Sequence, residues 1–321
     1  MPHPSSSTTL NRPDLGQAAY EYYLGMDQEG FIADQVLPEF GVPRQSSTYP
    51  KIPKEVFLRV ADGRRDAEGN YQRDDWEFEN DYYATQEYGF ESPVDDRIAN
   101  LYSDYFDAEM ITTNRLAKKL KRAREKRVAD MVFNTSNVPA YGSNVTQWST
   151  VASATPITDI EAVKLSLWNT YGIEANAVIF NKTNLSYLRR NAQIQNALTY
   201  TDPVQRMPGQ QFVRLLAELF DVPNVLVGKS LYDSSKKNKT PSLSGLWSTT
   251  YCFVGRIATS SDFADPALGL TFRWTQESPS MLVTEQYRED KVRGDIYRVR
   301  QEVHEKIINT EAGFLVDVAN N

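Results

Sequence analysis

The sequence predicts an α+β chain built around one long helix and one long strand, with a compact α/β unit between them. Three observations carry this reading. Residues 94–138 contain neither glycine nor proline, and within them Leu116, Leu120, Ala123, Val128 and Met131 recur at three- to five-residue steps, giving one apolar helical stripe. Near the C-terminus Tyr297, Val299, Val303 and Ile307 alternate with charged residues, the period-two pattern of a strand with one wet face. Between them, short apolar runs alternate with amphipathic segments, as in a compact α/β unit.

Length and composition set the bounds. The chain has 321 residues, 40% of them hydrophobic, with 18 Tyr, 14 Phe and 5 Trp, enough for one large domain or two to three interleaved ones. No apolar run approaches the ~18 residues of a membrane span. The opening MPHPSSSTTLNRPDLG lacks the basic-then-apolar order of a secretory signal, so a soluble cytosolic product with no membrane partner is expected. The single cysteine, Cys252, excludes an internal disulfide and a cysteine-based zinc site, and its strand-like surroundings point to a buried, inert thiol. His3 and His304 are the only histidines. Histidine does most general acid–base work, so no catalytic, cofactor or metal residue is assigned, and carboxylate-based hydrolysis is the enzyme reading left open.

Charge is unevenly placed. From Arg115 to Arg127 stand Arg115, Lys118, Lys119, Lys121, Arg122, Arg124, Lys126 and Arg127 against one acid, Glu125. That window carries +7, leaving −14 for the remainder of a chain whose net charge is −7. The overall sign argues against bulk nucleic-acid binding. The band reads as the solvated or partner-facing part of a helix, its alkyl stems lying along the surface. Sequence-specific DNA reading by a basic-region helix would want a dimerising zipper, and only about two further turns follow Arg127.

Along the chain, residues 1–50 show no sustained periodicity, and their apolar clusters are too rich for a purely disordered tail. An arm that lies on a neighbouring surface is expected. A large hairpin follows: Glu55–Val60 goes out, Trp76–Glu79 returns, and the charged segment between holds the turn signals Asp62-Gly63 and Gly69-Asn70. Ser92-Pro93-Val94-Asp95 reads as a capped helix start, with a second start possible at Asp107. Farther on, helices are expected over 159–171, 185–198 and 210–220. Strands are expected at Ala177–Phe180, Val225–Val227, Tyr251–Ile257, Leu270–Trp274 and Tyr297–Ile307. Pro223–Ser230 matches the end of a phosphate-binding loop, but proline stands where that loop needs glycine, so a strand running into an exposed lysine is the better account.

An arm, a charged hairpin, a long helix, an α/β unit and a returning strand leave much surface without an intramolecular partner. In this order of parts the chain resembles the major capsid proteins of tailed bacteriophages, the Hong Kong 97-type fold. Tyr88–Arg97, Leu116–Glu125 and Met131–Phe133 resemble the family's entry into its spine helix. Leu215–Val222 with Val225–Lys229 resembles a helix–strand pair of its axial domain. The resemblance implies an N-terminal arm (1–50), an extended loop (51–90), a peripheral domain with the spine helix (91–156 and 285–321) and an axial domain (157–284). It implies a non-enzymatic protein that self-assembles as pentamers and hexamers of an icosahedral head around double-stranded DNA, made in the host bacterial cytoplasm and residing in the virion. The loop tip (Arg59, Asp62, Arg64, Arg65, Asp66, Glu68, Arg73, Asp74, Asp75) is expected between subunits, and the spine's band (Arg115 to Arg127, with Glu125) against acidic neighbours, with non-specific contact to packaged DNA second. Implied partners are other copies of the chain, a separate or cleaved scaffold, a portal and a decoration protein. Lys51 and Lys54 lie at the hairpin base, so no autocatalytic cross-link is expected. An encapsulin-like shell around a cargo enzyme is the rival within the same fold class.

Overall fold

The computed structural model describes residues 10–11, 15–16, 18–19, 30–51, 60, 64, 79–102, 107–142, 145–198, 208–236, 239–260 and 265–319. The strands are β1 (Leu10–Asn11), β2 (Glu39–Val42), β3 (Ser46–Lys51), β4 (Glu79–Ala84), β5 (Gln86–Asp95), β6 (Ala177–Asn181), β7 (Asn224–Gly228), β8 (Leu231–Asp233), β9 (Leu243–Gly245), β10 (Tyr251–Gly255), β11 (Gly269–Trp274), β12 (Val283–Glu289), β13 (Gly294–Ile307) and β14 (Gly313–Asp317). The helices are α1 (Ala33–Val36), α2 (Asp96–Tyr102), α3 (Ala108–Val132), α4 (Pro156–Tyr171), α5 (Lys182–Arg190), α6 (Ala192–Ala197) and α7 (Gly209–Phe220).

The 14-residue β13 is the axis of the larger sheet. Along one edge it pairs with β5, and along the other with β12 and then β11, all antiparallel. β1 extends the sheet beyond β12, and β2 joins β11 in parallel. The signature predicted as a helix start at Ser92-Pro93 lies instead in β5, where Ser92 faces Tyr297 and Pro93 faces Ile296. The physical reason is tertiary: so long a strand exposes a row of backbone donors and acceptors that a neighbour must satisfy, and this outweighs a local cap signature. The second predicted start holds. The Asp107 carboxylate accepts from the Glu109 and Met110 N–H groups at 2.9 and 3.2 Å, and α3 then runs 25 residues.

The smaller sheet has the order β14-β10-β6-β7. Its buried residues, among them Val178, Phe180, Cys252 and Val316, share a core with α4, α5 and α7 through Val163, Leu188, Phe212 and Leu216. Pro156 opens α4, and Gly172 at φ 65° closes it in the left-handed region. The helix expected over 185–198 is two helices. Asn191 is extended between α5 and α6, and its side chain caps the second by accepting from the Ile194 N–H.

The long helix α3 joins the two units. Leu116, Ala117 and Leu120 pack on Tyr297, Val299 and Val303 of the larger sheet. Val128, Ala129 and Val132 pack with Ile179, Phe253 and Leu315 of the smaller one. Strand membership crosses the boundaries expected from the sequence: β14 belongs to the α/β sheet, and β11 and the start of β12 to the larger sheet. The chain crosses between the units more than once because each sheet completes its edges with whichever strand lies beside it.

Residues 30–50, expected to lie on a neighbouring surface, are built into this chain's own body. Ile32, Ala33, Val36 and Leu37 are buried beside α3, and β2 pairs with β11. The base of the hairpin is formed by β4 with β3, a strand that lies in the expected arm and precedes the hairpin expected over 51–90. Both strand segments expected beyond it, 55–60 and 76–79, lie almost wholly outside the described residues.

Candidate functional site: the charged faces of the long helix and the hairpin base

The predicted charge band does not form one solvated face. Helical periodicity turns Thr113, Leu116, Ala117, Leu120, Lys121, Arg124, Glu125, Val128, Ala129 and Val132 inward, so the buried stripe continues through three charged residues. The expectation that the band as a whole meets neighbouring subunits is corrected here: its centre is internal.

Each inward charge has partners. The Glu125 carboxylate, fully buried, accepts from the Ile32 and Ala33 N–H groups at 2.9 Å each and from the Trp247 indole N–H at 2.6 Å. Burial is the largest influence on its carboxyl and pushes its pKa above the ordinary value, while these donors and the nearby Arg124 pull it down. The Arg124 guanidinium bonds the Asp34 carboxylate, donates to Thr271 Oγ1 at 3.1 Å and stands 3.8 Å from Glu305. Lys121 also approaches Asp34, at 3.5 Å. Arg127 forks onto Glu305 at 2.6 and 3.3 Å and lies over the Tyr88 ring. The cluster therefore ties the segment around α1, the long helix, β13, β11 and the loop bearing Trp247 to one another. Asp34, Glu305 and Trp247 are the members that sequence reasoning missed. By the alternation of β13, Glu305 falls on the same face as Tyr297, Val299 and Val303, the face that α3 covers, and its burial there is made possible by Arg124 and Arg127.

The remaining cations lie nearer the surface, although the Arg122 Nε is itself buried. Arg115 and Lys119 are exposed, and Lys118, Arg122 and Lys126 half-exposed. Lys119 lies over the Phe90 ring at 4.1 Å, and Lys126 pairs with Asp130 one turn on at 2.6 Å.

The opposite face of the larger sheet is also charged, but paired in register. Arg298 lies between Glu91 on β5 and Glu285 on β12, at 3.1 and 3.5 Å. Arg300 reaches Glu285 at 2.9 Å and Glu277 at 3.6 Å. Cross-strand neighbours of opposite sign stabilise a sheet and fix its register.

At the hairpin base, Tyr83 stacks on Phe272 with centroids 4.7 Å apart, and Tyr49 packs on the same ring. The Tyr49 hydroxyl donates to Asp81 at 2.8 Å, and Lys306 bonds Asp81 and the Tyr82 carbonyl. Burial opposes the Asp81 charge, yet Lys306, Tyr49 and the Tyr82 N–H more than offset it, holding the carboxyl below its ordinary value. The Ala84 N–H donates to His304 Nδ1 at 3.2 Å, and Thr85 donates to Glu302. The lower half of the predicted wet face of β13 is thus covered by this hairpin. Of the tip residues, Arg64 is exposed, while Arg59, Asp62, Arg65, Asp66, Glu68, Arg73, Asp74 and Asp75 lie outside the described residues.

The glycine–lysine turn after β7 is not a phosphate cradle. A Cβ on Gly228 would fall 2.2 Å from the Trp247 ring, and the Lys229 N–H donates to the Gly30 carbonyl. Its glycine serves close packing. Cys252 is buried, and burial pushes its thiol far up. Among the described residues no group of His, Cys, Asp or Glu has the arrangement of a metal site, and no helix is long and apolar enough to cross a membrane.

No family model matches the sequence. Among curated proteins, the chain is 23% identical over 310 residues to the major capsid protein of Burkholderia phage BcepMu, covering 92% of this chain and 94% of that one. Among solved structures it is similar to a phage-related protein of Bordetella bronchiseptica RB50, with TM-score 0.71, 18% identity and coverage of 97% and 98%. It is also similar to the capsid of Myoviridae phage XM1, with TM-score 0.53, 12% identity and 91% of each chain. A virus-like particle from Pyrococcus furiosus aligns with TM-score 0.54 at 12% identity, over 95% of this chain and 98% of that one. The resemblance to phage major capsid proteins read from the sequence is therefore shared by a curated relative and by solved structures, and the mixed helix-and-sheet fold is that of capsid proteins.

Proposed function

We propose that this chain is a phage major capsid protein of the Hong Kong 97-type fold, which assembles with copies of itself as pentamers and hexamers into an icosahedral head around double-stranded DNA. The observation that carries the reading is the likeness to a curated major capsid protein across 92% of this chain and 94% of that one. In this reading the larger sheet with α3 is the peripheral domain, the α/β unit the axial domain, and the β3–β4 hairpin the root of an extended loop. The product resides in the virion, is made in the host bacterial cytoplasm, and is structural, with no catalytic centre and no cofactor. A scaffold, a portal and a decoration protein are its further partners.

The surface supports the reading. Leu165 and Trp168, exposed 59% and 61%, share one face of α4. Leu101 near the end of α2, Met110 and Ile111 at the start of α3, and Leu231 and Leu243 on the β8–β9 hairpin are exposed. Several separate apolar patches suit a subunit with several neighbours, because a closed shell of identical chains repeats a few interfaces, each about 1,000 Å² or more. Mixed charge on the extended loop would set register, since misplaced like charges penalise wrong docking more than matched ones add affinity.

Expression of the full chain, alone or with its scaffold, followed by negative-stain electron microscopy tests this. Large closed particles are expected, and a monodisperse monomer under every assembly condition would contradict the proposal. Deleting residues 59–75 should leave the α/β unit folded and abolish particles; normal shells from that deletion would remove the loop from the account. Particles that enclose a cargo enzyme instead of DNA would identify the encapsulin-like alternative.

A further inference from the structure

We infer that the α/β unit carries both halves of a head-to-tail contact between copies of this chain. The outer face of α4, centred on Leu165 and Trp168, seats the outer face of the next copy's β8–β9 hairpin, centred on Leu231 and Leu243. The inference rests on the shell reading and says which two surfaces would join neighbouring subunits of a ring.

Both patches are left over by the fold. On α4, Ile160, Val163 and Leu167 enter the core under the smaller sheet. Glu161, Leu165 and Trp168 stand on the other side of the helix, within an arc of roughly 60°. A tryptophan exposed to 61%, with Leu165 at 59% beside it, belongs to the side chains that most often anchor a protein interface. In the hairpin, Leu231 pairs with Gly245 and Asp233 with Leu243, which puts both leucines on one face and Tyr232 and Ser244 on the other. Tyr232 turns inward, onto the core that α3 shares with the smaller sheet, and lies under the Lys126 ammonium. The leucines, 51% and 69% exposed, therefore turn out.

The two patches lie on opposite sides of one sheet. Phe180 and Val254 share a core with α4, while their strand neighbours Ile179 and Phe253 share one with α3 and Tyr232. Surfaces on opposite layers cannot meet within one chain, but a second copy brings one to the other. A contact between two different surfaces is the kind that repeats around a ring.

Charge separates this arrangement from a two-fold one. The hairpin loop, residues 234–242, holds Lys236, Lys237 and Lys239 and no acid. Lys236 and Lys239 are exposed. Asp233 closes that loop, its carboxylate accepting from the Ser235 and Ser242 N–H groups at 2.9 Å each. On α4 the one charge within the patch's arc is Glu161, which is exposed. The helix's single cation, Lys164, is turned to the end of α7, where it donates to the Phe220 and Asp221 carbonyls at 2.8 and 2.7 Å. A two-fold contact would set each patch against itself, glutamate against glutamate or lysine loop against lysine loop. The head-to-tail contact sets an apolar centre on an apolar centre and opposite signs at its rim.

The test is cross-linking of the full chain. The single native thiol, Cys252, is buried, so cysteines placed at the exposed positions 165 and 243 are the reactive ones. L165C/L243C is treated with a short bismaleimide, as assembled particles and as concentrated subunits, and resolved on a denaturing gel. A ladder of dimers, trimers and larger species is expected, because every copy offers both halves. L165C alone and L243C alone should stay single bands, and a mixture of the two should give dimers. Circular dichroism of each variant should match the unaltered chain. Adding E161K to L165C/L243C should lower the cross-linked fraction about threefold, and K236E/K239E in the same chain should restore it. L165C that cross-links to itself as well as the pair does would overturn the inference in favour of a two-fold contact. A pair that stays monomeric also overturns it and leaves the α4 face to another partner. A ladder without closed particles would leave the contact standing and overturn the shell reading; particles without a ladder would do the reverse.

Discussion

The inward and outward faces of α3 are made from the same residue types and do opposite work. Inward, Lys121, Arg124 and Glu125 are nearly sealed from solvent and each has partners from other parts of the chain. Outward, Arg115, Lys118, Lys119, Arg122 and Lys126 stand in or near water. A charge taken out of water is tolerated only when paired, and removing its partner leaves an uncompensated ion. An exposed charge costs little to keep and little to lose. The inward set therefore fixes how the arm segment, the two sheets and the long helix are held together. The outward set makes looser contacts, Lys119 over the Phe90 ring and Lys126 with the exposed Asp130.

Breaking the inward face should have the largest effect. Arg124→Ala leaves Asp34 to Lys121 and Glu305 to Arg127 and removes the bond to Thr271, with an expected loss of about 1.5–3 kcal/mol in urea unfolding. Glu125→Ala removes the acceptor of three buried N–H groups, each costing about 1–3 kcal/mol when unsatisfied and not fully additive, so a similar loss is expected. Glu125→Gln keeps one acceptor oxygen and should fall between that variant and the unaltered chain. If either alanine variant unfolds like the unaltered protein, the buried cluster does not hold the units together.

The outward face sharpens the contrast. Replacing the exposed Arg115 and Lys119 by glutamine should change stability within the small range usual for surface substitutions, about 0.5 kcal/mol per site or less in urea unfolding. Lys126→Ala alone removes one exposed pair and should cost no more than about 0.5 kcal/mol. A large destabilisation from either would mean that the outward charges also serve the fold.

The smallest effect is expected from pH at the hairpin base. Burial first, and then the Lys306 charge, hold His304 below its ordinary 6.5. The unfolded chain therefore takes up the proton more readily than the folded one. This contribution is complete above about pH 6.5 and is lost as pH falls below it. Protonation also removes the Nδ1 acceptor of the Ala84 N–H. Hydrogen exchange at Ala84 should speed up between pH 7.5 and 5.5 beyond the intrinsic dependence, and His304→Gln should abolish that excess.

Much of this architecture is legible in the sequence because it rests on periodicity. The start of α3 at Asp107, the alternation through β13 and the α/β segments follow from spacing of apolar residues and from caps. The destination of a charge does not. Lys121, Arg124 and Glu125 sit in a band that reads as surface, and only the three-dimensional position of Asp34, Glu305 and Trp247 makes burial affordable. Ser92-Pro93 carries a helix-start signature that the pairing demand of β13 overrides. The short run Gly313–Asp317 is too brief for its pattern to show which sheet it completes, and Asn191 divides a helix by capping the next one. The hairpin base was anticipated as a turn-rich excursion, but its anchoring on Phe272 depends on a strand more than 180 residues away.

The most direct measurement is a cryo-electron microscopy reconstruction of the particles formed by the full chain. The account predicts a closed shell in which Glu125 remains bound to Ile32, Ala33 and Trp247, and the hairpin base remains seated on Phe272, within one subunit. Particles that do not close, or a shell in which Glu125 is bound by residues of a neighbouring subunit, would contradict it.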